Sequence, residues 1–167
     1  MEERTEIALP QWEALPDIGL YMDQVVTLME RTFSPTLPKG EVTKSMVNNY
    51  VKVGLLPRPV GKKYDRDHLA MLVMISVLKQ ALSMESIAQL LDMLCAQGVK
   101  AGYARFCAEA KNVENAVKEG HIELLGAGER AQDRALRAGV MAALCTIRAR
   151  RLLEALRTQK NGGCPGA

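Results

Sequence analysis

The side chains best suited to chemistry lie on one predicted helix, between Thr43 and Gly54. Four of them, short or cationic, recur with the spacing i, i+3, i+4 and i+7, namely Ser45, Asn48, Asn49 and Lys52. This spacing places them on one face of a helix. Asn can hydrogen bond to adenine N6 and N7, and Lys can reach guanine or a phosphate. The stripe therefore fits either a helix in a DNA groove or an ordinary solvated helix face.

The limits and the reverse face of this helix also follow from its residues. Thr43 is a suitable N-cap, and Gly54 followed by Pro57 ends the helix. The apolar residues form the opposite stripe, namely Met46, Val47, Tyr50 and Val51. An apolar back and a polar front are what the recognition helix of a helix-turn-helix needs.

A short basic loop follows, over residues 58–64, and its residue types predict a small hairpin or wing. We expect Lys62 and Lys63 of this loop, with Arg58 and Lys44, to neutralise phosphates. Residues 39–79 contain eight Lys and Arg against three Asp and Glu, a net charge of +5, whereas the whole chain carries +3. Positive charge is therefore concentrated around the polar stripe.

Three segments resemble the MerR-type winged helix-turn-helix, in the same order and spacing. Residues 46–57, ending in Gly54-Leu-Leu-Pro57, resemble its second helix and turn, with Tyr50 at the second position of an aromatic pair. Residues 63–69 resemble the end of the wing, and residues 82–91 resemble the helix that follows. The resemblance implies a DNA-binding transcriptional regulator. Because Asn48 and Asn49 stand where MerR proteins usually carry Arg and an aromatic residue, it implies no base preference.

The same motifs also resemble an uncharacterised bacterial family, DUF1836. Leu15-Pro-Asp-Ile18 and Leu20-Tyr-Met-Asp23 extend the match toward the N-terminus. This resemblance supports the fold expectation and implies no activity.

Apolar residues at helical spacing predict an all-α protein, with a MerR-like winged helix-turn-helix followed by additional helices and a long C-terminal helix. The aromatic share of 4% also suits packed helices better than strands. We expect an irregular arm over residues 1–19, a DNA-binding domain over 20–97, a helical dimerisation or sensor extension over 99–160 and a disordered tail over 161–167. Helices are expected at 20–33, 43–54, 65–82, 83–98, 99–118 and 129–159, with Asp65 or Asp67 capping the third, Ser83 capping the fourth, and Trp12 and Leu15 of the arm docked on the body.

The long C-terminal helix carries an apolar line made of Leu136, Val140, Leu144 and Ile147. MerR-like proteins dimerise through helices placed after the DNA-binding domain, so the resemblance implies that this line is the seam of a homodimer. Two alternatives stay open. The helix could fold back on its own domain, or its arginine-rich face could contact nucleic acid or an acidic partner.

Other residue patterns exclude several classes of function. No Ser–His–Asp, paired-carboxylate or glycine-rich phosphate arrangement is present, so we expect no enzyme and no cofactor. We expect Cys95, Cys107 and Cys145 to be buried structural residues rather than metal ligands, and His68 to make local hydrogen bonds or support the wing. The longest apolar run, residues 69–78, is half of the ~20 residues that span a bilayer. A cytoplasmic protein without a membrane partner is expected, and no effector is recognisable.

One competing function belongs to a different class. The chain could be a non-enzymatic protein-interaction or small-ligand-binding module that keeps the winged-helix scaffold without using DNA. In that case, Tyr103, Phe106 and Val113 would line a pocket instead of a plain core.

Overall fold

The computed structural model describes residues 8–33, 40–120 and 130–161, without the side chains of the last three. Its described part contains six α-helices, namely α1 (Met22–Phe33), α2 (Lys44–Lys52), α3 (Arg66–Leu78), α4 (Met84–Leu94), α5 (Val99–Glu119) and α6 (Ala131–Asn161). Short 3-10 turns cover Trp12–Ala14 and Cys95–Gln97, and the described residues include two isolated antiparallel bridges but no named strand. The all-α expectation is confirmed. The break predicted at 34–40 and the tail predicted at 161–167 lie almost wholly outside the described residues, although Asn161 is the last residue of α6.

Three helices begin at side-chain caps that the sequence predicted. Thr43 Oγ1 accepts a hydrogen bond from the Met46 amide over 3.2 Å, and Ser83 Oγ accepts one from the Ser86 amide over 3.2 Å. Asp65, rather than Asp67, caps α3 and accepts from the His68 amide over 3.1 Å. These bonds satisfy amides that have no partner within the helix, and they fix where each helix starts. The largest differences from the expected bounds are at two helix ends, since α3 ends at Leu78 and α4 ends at Leu94 before the 3-10 turn.

The centre of the molecule is α3. Every residue from His68 to Leu78 is buried, as expected for a helix that is apolar on nearly every side. Helices α4, α5 and α6 all contact α3. Side chains before and after Gly98 belong to one hydrophobic core, so the predicted division into domains at this point falls within shared packing.

Helix α6 folds back on its own chain, which corrects the expectation of a dimer seam along its apolar line. Its predicted seam residues are all buried in the intramolecular core, with at most 8% of their surface exposed, namely Leu136, Val140, Leu144 and Ile147. These residues are therefore not available as a dimer seam. Tyr103, Phe106 and Val113 are likewise buried in this core, so they do not line the ligand pocket considered above.

The N-terminal arm docks on α5, as predicted for Trp12 and Leu15. Leu15 is buried, and the Trp12 ring lies against the Tyr103 ring with 6.1 Å between their centroids. The Tyr103 hydroxyl donates a hydrogen bond to the Pro10 carbonyl over 2.6 Å. A buried hydroxyl thus ties the arm to the helix 93 residues further along the chain.

Tyr103→Phe tests this attachment of the arm. We expect the substitution to lower the free energy of unfolding by about 1 kcal/mol, because it leaves the Pro10 carbonyl without its donor while it keeps the ring. Trp12 is the only tryptophan, so its fluorescence reports on the arm directly. Tyr21→Phe at an exposed ring is the control. Equal stability of the two variants would show that the hydrogen bond does not hold the arm.

Candidate nucleic-acid interface

Helix α2 presents its polar stripe to solvent. Ser45, Asn48, Asn49 and Lys52 are all exposed, whereas Val47 and Tyr50 on the reverse face are buried. The four side chains that the sequence singled out are therefore brought together on one open surface. Their amide, hydroxyl and ammonium groups can donate and accept hydrogen bonds at that surface.

A polar network holds the chain just before α2. Glu41 Oε2 accepts hydrogen bonds from Lys79 Nζ and from Gln80 Nε2, each over 3.1 Å, and Lys79 Nζ also donates to the Glu41 carbonyl over 2.6 Å. Arg150 of α6 donates to Gln80 Oε1. Burial raises the pKa of Glu41, but the hydrogen bonds from Gln80 and Lys79 and the charges of Lys79 and Arg150 outweigh it and lower the pKa below its ordinary value. The start of α2 is thereby fixed to α3 and to α6.

Residues 60–63 form a tight turn that we call the lysine turn. The Lys63 amide donates to the Val60 carbonyl over 3.0 Å, and the two central residues, Gly61 and Lys62, have φ of 56° and 61°. Positive φ at both central positions suits the right-handed twist of a hairpin, and Gly or Asn adopts it most easily. Lys62 is the only non-glycine residue with positive φ among the described residues. A long cationic side chain thus occupies a backbone position that disfavours it.

The lysine turn is anchored at its base. The amides and carbonyls of Leu20 and Tyr64 exchange two hydrogen bonds of 2.8 Å each. The Tyr64 ring meets the His68 ring edge-on at 5.4 Å, and His68 Nδ1 lies 2.6 Å from Asp65 Oδ1. The expected local role of His68 is confirmed, since it completes the cap of α3 and supports the turn.

Tyr21 is a surface residue that sequence reasoning missed. Its ring is exposed, and Lys63 Nζ lies 5.3 Å from its centroid. The pairing of Leu20 with Tyr64 places Tyr21 beside the lysine turn, although 42 positions separate it from Lys63. The available signal was the Leu20-Tyr-Met-Asp23 motif, which does not show what the tyrosine contacts.

The cations of this region divide into two groups. Lys79 is used in the Glu41 network, Arg66 Nε donates to the Leu15 carbonyl over 2.9 Å, and Lys44 pairs with Asp23 at the surface. Lys52, Arg58 and Lys62 have no ion pair within the described residues, and all three are exposed. Their charges are open to an external anion.

The other residues singled out from the sequence include three cysteines, Cys95, Cys107 and Cys145. Burial raises the pKa of the half-buried Cys95 and Cys107 thiols, which keeps them protonated. Cys145 is exposed, so the expectation that it is buried was wrong. Within residues 8–33, 40–120 and 130–161, no group of three His, Cys, Asp or Glu is arranged to hold a metal ion, and no helix is long and apolar enough to cross a membrane.

The described part is thus an all-helical protein with an exposed polar helix and, further along the chain, a cationic turn. A family model described as "Domain of unknown function (DUF1836)" matches residues 10–106, more than half of the 167 residues. The chain belongs to this family, as its motifs suggested. A search of curated proteins and a search of solved structures each found no match.

Proposed function

We propose that this protein is a DNA-binding transcriptional regulator of MerR-like type, which reads DNA with α2 and uses the lysine turn as a short wing. The observation that carries the proposal is the exposed polar stripe of α2, which a buried apolar back and the Glu41 network hold in place. Lys52 and Arg58 line one surface cavity, so the end of α2 adjoins the segment leading to the lysine turn. Such a regulator is non-enzymatic and acts in the cytoplasm.

The two kinds of side chain have separate tasks in this proposal. Asn48 and Asn49, with Ser45, hydrogen bond to base edges in the major groove. Lys52, Arg58, Lys62 and Lys63 neutralise phosphates, and Lys44 joins them when DNA replaces Asp23 as its partner. The left-handed backbone conformation of Lys62 supports its role in phosphate binding, because strained conformations concentrate where a side chain has a function.

We further propose that the regulator is a homodimer that binds a pseudo-palindromic site. Because the apolar line of α6 is buried, we place the dimer contact at the C-terminal end of that helix. Leu152, Leu153 and Leu156 are exposed there by 47%, 57% and 61%. Selection of sites from a random DNA pool by the purified protein tests both statements, because a dimer selects two half-sites at a fixed spacing.

Salt dependence gives the direct test of phosphate contacts. Binding to random duplex DNA should weaken as salt rises, by about 0.9 log units per log unit of salt for each phosphate neutralised. Lys52→Ala and Lys63→Ala should each lower this slope by about 0.9 for each bound protomer and weaken binding to every sequence. Lys111→Ala, at an exposed position of α5, is the control. A flat response to salt, or no binding at low salt, contradicts the proposed function.

Asn48→Ala tests base reading separately. We expect the variant to bind random DNA nearly as well as the wild-type protein, and to lose preference at one position of a selected site. A good pair of hydrogen bonds discriminates by about 1–3 kcal/mol, so the preference should fall roughly tenfold. Asn115→Ala, at an exposed position of α5, is the matched control. An unchanged preference would show that Asn48 does not read a base.

A further inference from the structure

A surface cavity of about 550 Å³ lies between the end of α2, the turn after it, and α4. Much of its wall is apolar and includes Val51, Met71, Ala88 and Leu91. Lys52, Arg58 and Asp92 also line it. The volume lies within the range of roughly 300–1,000 Å³ that small-molecule sites occupy, and an apolar wall with a few charged groups is typical of them.

We propose that this cavity binds an anionic amphiphile, a single carboxylate on an apolar body such as a medium-chain fatty acid, and that the bound ligand lowers affinity for DNA. The apolar body lies along the wall formed by α3 and α4, and the carboxylate meets Lys52 and Arg58. Both cations are exposed and lack an ion pair within the described residues, so they can receive it. The effect on DNA rests on the proposed function, whereas the ligand site does not.

The charges of the lining determine the class of ligand. The lining contains two cations, Lys52 and Arg58, and one carboxylate, Asp92, so the cavity favours an anionic ligand over a cationic one of the same shape. Asp92 of α4 also lines the cavity and repels negative charge on the ligand, so that Lys52 and Arg58 favour one carboxylate and not two. An amphiphile with one charged end satisfies both conditions. Cys95 also lines the cavity, and burial and nearby carboxylates raise the pKa of its thiol.

Competition with DNA follows from shared residues. Lys52 ends the polar stripe of α2, and Arg58 leads into the lysine turn. A carboxylate held between them neutralises charge that a phosphate would otherwise neutralise. A bound ligand therefore removes up to two phosphate contacts in each protomer, and the salt slope of DNA binding falls by up to about 1.8 per protomer.

A second cavity supplies the matched control. It has a volume of about 330 Å³, lies between α4 and α6, and contains no charged residue in its lining. Ala138 lines this cavity as Ala88 lines the first. Ala88→Trp and Ala138→Trp thus fill two different cavities with the same side chain.

The binding experiment uses the full chain and sodium decanoate, followed by titration calorimetry, with 1-decanol as the neutral analogue. We expect decanoate to bind more tightly than decanol. Lys52→Ala and Arg58→Ala should each weaken decanoate binding roughly three- to fivefold, and Asp92→Asn should tighten it by a similar factor. Ala88→Trp should weaken it at least tenfold, whereas Ala138→Trp should leave it unchanged. Asp92→Asn changes an exposed residue, so it keeps the test decisive if Ala88→Trp fails to fold.

The DNA arm of the experiment separates the two proposals. If decanoate lowers DNA affinity of the wild-type protein and not of Ala88→Trp, both proposals are supported. If the protein binds decanoate with the expected variant pattern but binds no DNA, the ligand site is supported and the proposed function fails. Absence of decanoate binding, equal binding of decanoate and decanol, or an unchanged affinity in Asp92→Asn overturns the ligand proposal, whatever happens with DNA.

Discussion

Val140→Asp is expected to lower the free energy of unfolding by about 4 kcal/mol or more, because it places an unpaired carboxylate in the core. The Val140 side chain is fully buried on the side of α6 that meets the rest of the molecule. Helices α3, α4 and α5 all contact α6. Chemical denaturation followed by circular dichroism measures the loss.

Ala142→Asp is the control for this substitution. Ala142 lies two residues further along α6 and is exposed, so the same charge there should lower stability by no more than about 1 kcal/mol, mostly through the lower helix propensity of Asp. The pair also distinguishes the two interpretations of the apolar line. If Val140→Asp produced a stable monomer from a dimer, the line would be a seam between copies and not part of the core of one chain.

Glu41→Ala is expected to lower the free energy of unfolding by about 2–3 kcal/mol, since it leaves the half-buried Lys79 without its carboxylate. Lys79 Nζ would keep only the Glu41 backbone carbonyl and a 3.7 Å contact with Met46 Sδ. Gln80 would lose one acceptor. Because Glu41 lies two residues before the Thr43 cap, we also expect weaker DNA binding through a less fixed α2.

Glu30 of α1 provides the control for Glu41→Ala, and the pKa of Glu41 predicts how its contribution depends on pH. Glu30→Ala removes an exposed carboxylate from α1 and should cost far less. The folded-state pKa of Glu41 lies below its ordinary value of 4.5, so its ionised form contributes stability at pH values above that. This contribution is lost as the pH falls through the lower folded-state pKa. The wild-type protein should therefore be more stable than Glu41→Gln at neutral pH, and the difference in stability should disappear at low pH. An advantage that does not depend on pH would contradict a charge-based role.

Local patterns in the sequence were sufficient for the helices and for the polar stripe. Thr43, Asp65 and Ser83 act through amides three residues away, so the segment alone determines their role. The stripe of α2 depends only on helical periodicity and an apolar reverse face. Such features can be predicted because every interacting group lies within one turn of the chain.

Contacts between distant segments could not be predicted in this way. The Glu41 network joins residues 38, 39 and 70 positions apart, and none of its members belongs to a motif. The periodicity of α6 predicts that its apolar line is buried. It does not show whether a second copy of the protein or the same chain buries it. Cys145 was misplaced for a related reason, since a residue at the edge of an apolar stripe can fall on either side of the boundary.

The continuous course of α5 has a practical consequence for work on this family. The family match ends at Phe106, whereas α5 continues to Glu119 without interruption and Phe106 is completely buried. A fragment cut at the family boundary would sever a helix in its first half and uncover the side chains that α6 shields. For this protein, the smallest piece worth expressing is therefore set by where the hydrophobic contacts end, well beyond the span that family membership delimits.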